Sequence, residues 1–262
     1  MPVTSAWMTR LRDAVFSWWL PVAIIGTWQA SASLNLISPL FFPAPSLILQ
    51  SGWQMILNGE WQSQVGATLH RMLIGAALGL STGFACGLLM GMLSPVRKTL
   101  EPVVSVLNST PKLAVMPLLL LFLGVGETAR LVPIALTAFV TLAMQTLDAV
   151  RGVDPGFVEM ARNYGAGRSA LLRRVYFPAC LPQVFTGLRL TAGRALVITI
   201  SVELLGSPDG LGRMIWMAWQ TFATEKLYIG IFSTAMLGVL FHDGLARLEA
   251  RLVPWGVKPR GR

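Results

Sequence analysis

The sequence predicts an all-α, polytopic membrane protein with about six transmembrane helices. Three observations lead there. Charged residues make up 13% of the 262-residue chain, about half the share usual in soluble domains. The mean hydropathy is +0.62. The charges are also segregated: none falls between Ala14 and Gly59, and none between Met72 and Val96. A hydrocarbon core of about 30 Å is crossed by about 20 helical residues, and both stretches exceed that length.

The formal net charge is +9. In so apolar a chain, this excess fits Lys and Arg retained in cytoplasmic loops. The expected surroundings are therefore a lipid bilayer, with no nucleic-acid partner. Cys86 and Cys180 stand apart, with no Cys or His at a metal-ligand spacing, so neither a disulfide framework nor a metal site is expected.

Residues 1 to 13 read as a cytoplasmic N-terminus and residues 14 to 262 as a single transmembrane domain. The first span is about 14 to 35. Arg10 and Arg12 before it and Ala30-Ser31-Ala32 near its end have the form of a cleavable leader. Trp18, Trp19 and Trp28, and the continuation to Leu36, suit a retained span better. Three prolines in "SPLFFPAPS" then stop any helix, since each lacks an N–H donor. The next stretch sets Leu49, Trp53, Ile56 and Leu57 on one helical face. It is too short to span; it either lies in the interface or packs on the bundle.

A second span, about 65 to 93, carries Gly75, Gly79, Gly83, Gly87 and Gly91. A spacing of four keeps them on nearly one face, where small residues let two backbones approach closely. Whether the partner helix belongs to the same chain or to a second copy is open at this level. The third span, about 100 to 123, holds Pro111 and Pro117, which predict kinks or a break. Lys112 between them either faces a polar cavity or snorkels from a kinked end. Further spans are expected at about 130 to 149, 180 to 204 and 227 to 246. An amphipathic stretch, "MIWMAWQTF", precedes the last.

Six spans place both termini on one side. With that side inside, Arg10, Arg12, Arg97, Lys98, Arg151, Arg162, Arg168, Arg173, Arg174, Arg247, Arg251, Lys258, Arg260 and Arg262 are cytoplasmic. Arg71, Arg130, Arg213 and Lys226 are then external or at the outer end, an asymmetry that fixes the orientation.

The segment "EMARNYGAGRSALLRRVYFP" (159–178) concentrates Glu159, Arg162, Arg168, Arg173 and Arg174 between two apolar runs. Asp154 is a good N-cap and Pro155 suits a first helical turn. Gly165 supplies a left-handed stop, and a second helix from about Gly167 should end before Pro178. Two short helices with a bend at the cytoplasmic face have the form of a helix offered to a groove on a soluble partner. Val158, Ala161, Ala166 and Gly167 would supply the close-approach surface. An ordinary basic loop touching anionic lipid is the plainer alternative.

This segment resembles the signature loop of bacterial ABC importer permeases: Glu-Ala-Ala, three residues, Gly, nine residues, an aliphatic, one residue, and Leu-Pro. Glu159, Ala161, Gly165, Val175 and Pro178 fit that spacing, with Met160 and Phe177 replacing an Ala and the Leu. "LFFPAPS", "PKLAVMPLLLLFLGVGE" and "LPQVFTGLRL" extend the resemblance, which is to the sulfonate, taurine and nitrate permease subfamily. "LFLG" departs from it where an aromatic often precedes the Gly. The resemblance implies the type I importer (MetI-like) fold in a bacterial inner membrane. It also implies a second permease copy, two ATP-binding subunits that hold ATP and Mg, and an extracytoplasmic solute-binding protein. The region 151 to 178 would be the coupling loop, with Glu159, Met160, Ala161, Arg162, Gly165, Ala166 and Gly167 at the ATPase and Pro178 at re-entry into the membrane.

No catalysis is expected of the chain itself. None of Lys98, Lys112, Lys226 and Lys258 follows a Gly, so no phosphate-binding P-loop is present. His70 and His242 are the only histidines, and His70 reads as an outer-interface residue. No cofactor is expected on this chain. Lys112, Arg194 and Glu203 are the candidate pathway residues for a small anion such as a sulfonate, taurine or nitrate. Internal salt bridging of Arg194 with Asp148 or Glu203 is the competing reading. An unrelated organic solute, or a secondary transporter that needs no ATPase, remains the alternative function.

Overall fold

The computed structural model describes residues 4–256, with backbone alone for 4–18 and for Arg168. Lys258, Arg260 and Arg262, counted above among the cytoplasmic cations, lie outside the described residues. The elements in chain order are α1 (Thr4–Ser33), α2 (Pro45–Leu57), α3 (Glu60–Met92), α4 (Ser94–Ser109), α5 (Met116–Leu123), α6 (Glu127–Arg151), α7 (Pro155–Asn163) and α8 (Arg168–Leu171). A π-turn (Leu172–Tyr176) follows, then α9 (Phe177–Leu204), α10 (Leu211–Gln220) and α11 (Thr224–Leu252). Among the described residues there is no strand. Four stretches there are long and apolar enough to cross a membrane: Glu60–Met92, Glu127–Arg151, Ser169–Leu204 and Thr224–Leu252.

The predicted third span is not one helix. Pro111 disfavours helical backbone at the residue before it, and Thr110 is extended, at φ −71° and ψ 129°. The helix therefore stops at Ser109 and resumes at Met116, leaving Lys112 in the gap.

The chain divides into two compact units, residues 1–62 with 214–231, and 63–213 with 232–262. In the first, α2 buries Ile48 and Met55 and leaves Leu49, Trp53 and Leu57 exposed. Gln29 ties α1 to it by accepting from the Ser46 amide at 3.0 Å. Lys226 donates to Glu60 at 2.7 Å, and the Trp28 and Tyr228 rings lie 5.3 Å apart.

In the second unit α6 is the axis. Ala129, Ile134, Ala138, Ala143 and Leu147 are fully buried. Met90 and Val104 pack with Val140, Ala143 and Leu147. Cys180 and Val184 pack with Leu142, Ala149 and Val150. The partner of the glycine row is α6 of the same chain. A Cβ on Gly75 would lie 2.7 Å from Ile134, one on Gly83 2.5 Å from the Phe139 carbonyl oxygen, and one on Gly91 2.5 Å from Val150. Residue numbers rise together on the two helices, so they run parallel, in contact for about 24 Å at 1.5 Å per residue. Gly79 and Gly87 likewise face the carbonyl oxygens of Ala135 and Ala143. Gly79, Gly83 and Gly87 thus lie against α6 carbonyls, an approach that only a missing side chain permits. Arg189 forms an ion pair with Glu249, joining α9 to α11.

Gly79→Leu is expected to lower stability by about 1–3 kcal/mol or more, because it meets backbone rather than a movable side chain. Gly66→Leu, on the same helix with nothing within 4 Å, should change it little. Thermal unfolding of both variants in detergent would check this.

Candidate functional site

Three sites emerge from this frame, all within the second unit. The first is the loop between α6 and α9. Asp154 accepts from the Gly156 amide at 2.8 Å, closing the N-terminus of α7. At the other end the Gly165 amide donates to the Arg162 carbonyl at 2.8 Å and the Ala166 amide to the Ala161 carbonyl at 3.0 Å. This pair is the Schellman arrangement, and it requires the left-handed backbone that Gly165 adopts at φ +78°. Asp154, Pro155 and Gly165 thus play the local roles that the sequence predicts.

The face that α7 offers is different from the expected one. Val158 is buried and fastens the helix. Phe157, Met160 and Tyr164 are 60%, 57% and 88% exposed. With Ala161, Val175, Pro178 and Trp255 they line a groove of about 390 Å³. The spacing of 157, 160, 161 and 164 is that of one helical face, so this signal was available in the sequence. Trp255 was not legible there: it arrives from the far end of the chain, where its indole N–H donates to the Pro178 carbonyl at 3.1 Å. Glu159 and Met160 also line a second hollow, with Asn163 and Tyr164; Arg162 is exposed beside them.

Pro178 does not end the second helix of the loop, as the sequence reading expected. Helix runs from α8 through the π-turn into α9 without interruption. The Phe177 amide reaches back to the Leu172 carbonyl, an i→i+5 bond whose wider turn makes room for the proline ring immediately after it.

The second site is a buried ionic cluster. Arg71 is 3% exposed and Glu203 fully buried. Arg71 donates to Glu203 at 3.0 Å and, in a fork, to both carboxylate oxygens of Glu127 at 2.9 and 2.8 Å. It also pairs with the Asp209 side chain and donates to its carbonyl at 2.9 Å. Glu203 accepts further bonds from Thr68 at 2.9 Å and the Gly212 amide at 2.9 Å. Arg130 reaches the Gly206 carbonyl at 3.1 Å. These contacts bind the loop after α9 to α3 and α6.

The third is a cavity of about 560 Å³, open on one side, which brings Lys112 and Arg194 together. Glu203 is not among its lining residues. Lys112 donates to the Asn108 carbonyl at 2.7 Å, and Arg194 to the Thr141 hydroxyl at 3.3 Å.

Four stretches of membrane-crossing length, an irregular break beside Lys112 and an exposed helical loop describe a multi-pass membrane bundle. The chain belongs to the family described as binding-protein-dependent transport system inner membrane component, which matches residues 75–253. It is 32% identical to the taurine transport system permease protein of Escherichia coli (strain K12), over 88% of this chain and 86% of that one. It is 34% identical to a Bacillus subtilis (strain 168) permease named for aliphatic sulfonates transport, over 90% and 86%. It is 31% identical to the riboflavin transport system permease protein of Chloroflexus aurantiacus (strain ATCC 29366 / DSM 635 / J-10-fl), over 97% of each chain. The fold matches the inward-facing MetNI methionine ABC transporter at a TM-score of 0.65 and 18% identity, over 74% of this chain and 95% of that one. The protein is thus a multi-pass inner-membrane permease component of an ABC importer with the MetI-like fold.

Arg71→Met is expected to cost about 3–5 kcal/mol, because it leaves Glu203 buried and uncompensated. Adding Glu203→Met should recover much of that loss. Unfolding of the single and double variants in detergent would measure both.

Proposed function

We propose that this chain works as one of two permease copies in a complex with two ATP-binding subunits and an extracytoplasmic binding protein, importing a small anionic solute. The observation that carries the coupling part is the exposed row Phe157, Met160 and Tyr164 on a helix capped at both ends. Apolar side chains at about half or more exposure, on a rigid helix at the polar end of a membrane bundle, suit burial in a cleft of a soluble partner. ATP and Mg would reside in that partner, which hydrolyses ATP. Glu159, Arg162, Ala166 and Gly167 surround the row and would frame the contact, with both chain termini on the same cytoplasmic side.

Transport follows from differential binding. ATP shifts the assembly only if its closed ATPase pair fits one permease conformation better than the other. The docked α7 would pass that preference to α6 on one side and α9 on the other.

For the solute, the names of the taurine and sulfonate relatives point to a sulfonate, with nitrate as a related small oxyanion. The riboflavin relative supports a second reading, a larger organic solute. The paired cations Lys112 and Arg194 in one cavity favour the anion.

Gly165→Pro removes the amide that closes α7 and forbids the left-handed backbone there. It is expected to abolish copurification of the ATP-binding subunit and solute uptake while membrane insertion persists. Normal copurification and uptake would remove the docking role from this loop.

A further inference from the structure

The cavity at the break between α4 and α5 has charge that no described residue neutralises. Lys112 carries three donors and Arg194 five; one of each is engaged, to the Asn108 carbonyl and the Thr141 hydroxyl. Among the described residues, no acidic side chain lines the cavity. Among the described residues, neither cation belongs to an ion pair. Other arginines on α3 and α9 behave differently. Arg71 has three carboxylates, and Arg189 has Glu249. Lys112, half-buried, and Arg194, exposed on the open side, have no such carboxylate among the described residues.

The open side of the cavity is not suited to lipid. Uncompensated intramembrane cations face a bundle interior or a water-filled path. The backbone agrees: residues 110–115 lie between two helices, and non-helical backbone at membrane depth persists where it is buried in protein or lines a water-filled cavity. Of the hydroxyls at the wall, Ser109, Thr110, Thr137 and Ser201 already donate to carbonyls of their own helices. The free side-chain donors are therefore those of the two cations and of the Asn108 amide, and these are what a ligand would meet. Apolar groups such as Val197 and Ile198 make up the rest of the wall.

We propose that Lys112 and Arg194 form an oxyanion-binding station inside the permease, which holds the sulfonate or nitrate group of the solute against an otherwise apolar wall. This rests on the anion-import reading above and deepens it: the permease itself recognises charge, after the binding protein has released the solute. A guanidinium offers two parallel donors to a planar or tetrahedral oxyanion, and an ammonium a point charge. Together they match a compact monoanion.

The test uses the whole transporter, with ATP-binding subunits and binding protein, in proteoliposomes. Uptake of taurine, methanesulfonate and nitrate is measured for the wild type, Lys112→Gln, Arg194→Gln and Arg194→Lys. In parallel, Val197→Cys is introduced with Cys86→Ala and Cys180→Ala. It is labelled with an anionic sulfonatoethyl methanethiosulfonate and its cationic trimethylammonium counterpart. Each charge-removing variant is expected to lower uptake of the transported anion about tenfold, with copurification intact. The anionic-to-cationic labelling ratio should fall by a similar factor, and Arg194→Lys should restore most of both. Uptake by the wild type with unchanged uptake or labelling ratio in the Gln variants would overturn the station and leave the anion importer standing. A wild type that takes up none of the three oxyanion-bearing solutes would overturn the anion reading and the station with it.

Discussion

Arg71 is the interaction on which the arrangement of the second unit depends. A guanidinium on a membrane-spanning helix is tolerated only when its charge and its donors are satisfied inside the protein. Here one side chain engages Glu127 at the start of α6, Glu203 at the end of α9, and Asp209 in the loop beyond. Glu203 in turn holds the Gly212 amide and Thr68. Removing any member leaves a desolvated charge or an orphaned donor, so α3, the start of α6, the end of α9 and the loop are fixed as a set. Such a cluster contributes less to net stability than to the choice of one geometry.

From that anchored end, α3 and α6 run together along the glycine row, and α9 packs on another side of α6 through Leu142, Cys180 and Val184. The result is a rigid core with one irregular element, the break between α4 and α5. Continuity of the helix through the π-turn matters here. The stretch Ser169–Leu204 is 36 residues long, about 54 Å at 1.5 Å per residue. It carries the loop at one end, Arg194 within it and Glu203 at the other. A displacement applied at the loop therefore acts on the same helix that supplies a cation to the cavity, with no hinge at Pro178 to absorb it.

Much of this was readable in advance where the signal is local. Asp154, Pro155 and Gly165 mark the ends of α7 because capping depends on a few neighbouring backbone groups. Pro111 announced the break in the third span for the same reason. The expectation at Pro178 failed because proline's effect depends on the turn before it, and the π-turn accommodates the ring. Val158, expected on the offered surface, is instead buried, since which face of a short helix is covered depends on what lies beneath it. Trp255 was out of reach, being 77 residues in sequence from its partner Pro178.

The sequence by itself determined the helical class, the loop chemistry and the small-residue face of α3, because charge segregation, capping and four-residue spacing act over one or two helical turns. Only the tertiary structure decided that the glycines meet α6 of the same chain. It alone gave Arg71 and Glu203 to each other, and set Lys112 beside Arg194 without a carboxylate. Arg71 and Glu203 stand 132 positions apart, and no short-range pattern encodes which of several charges a given charge will meet.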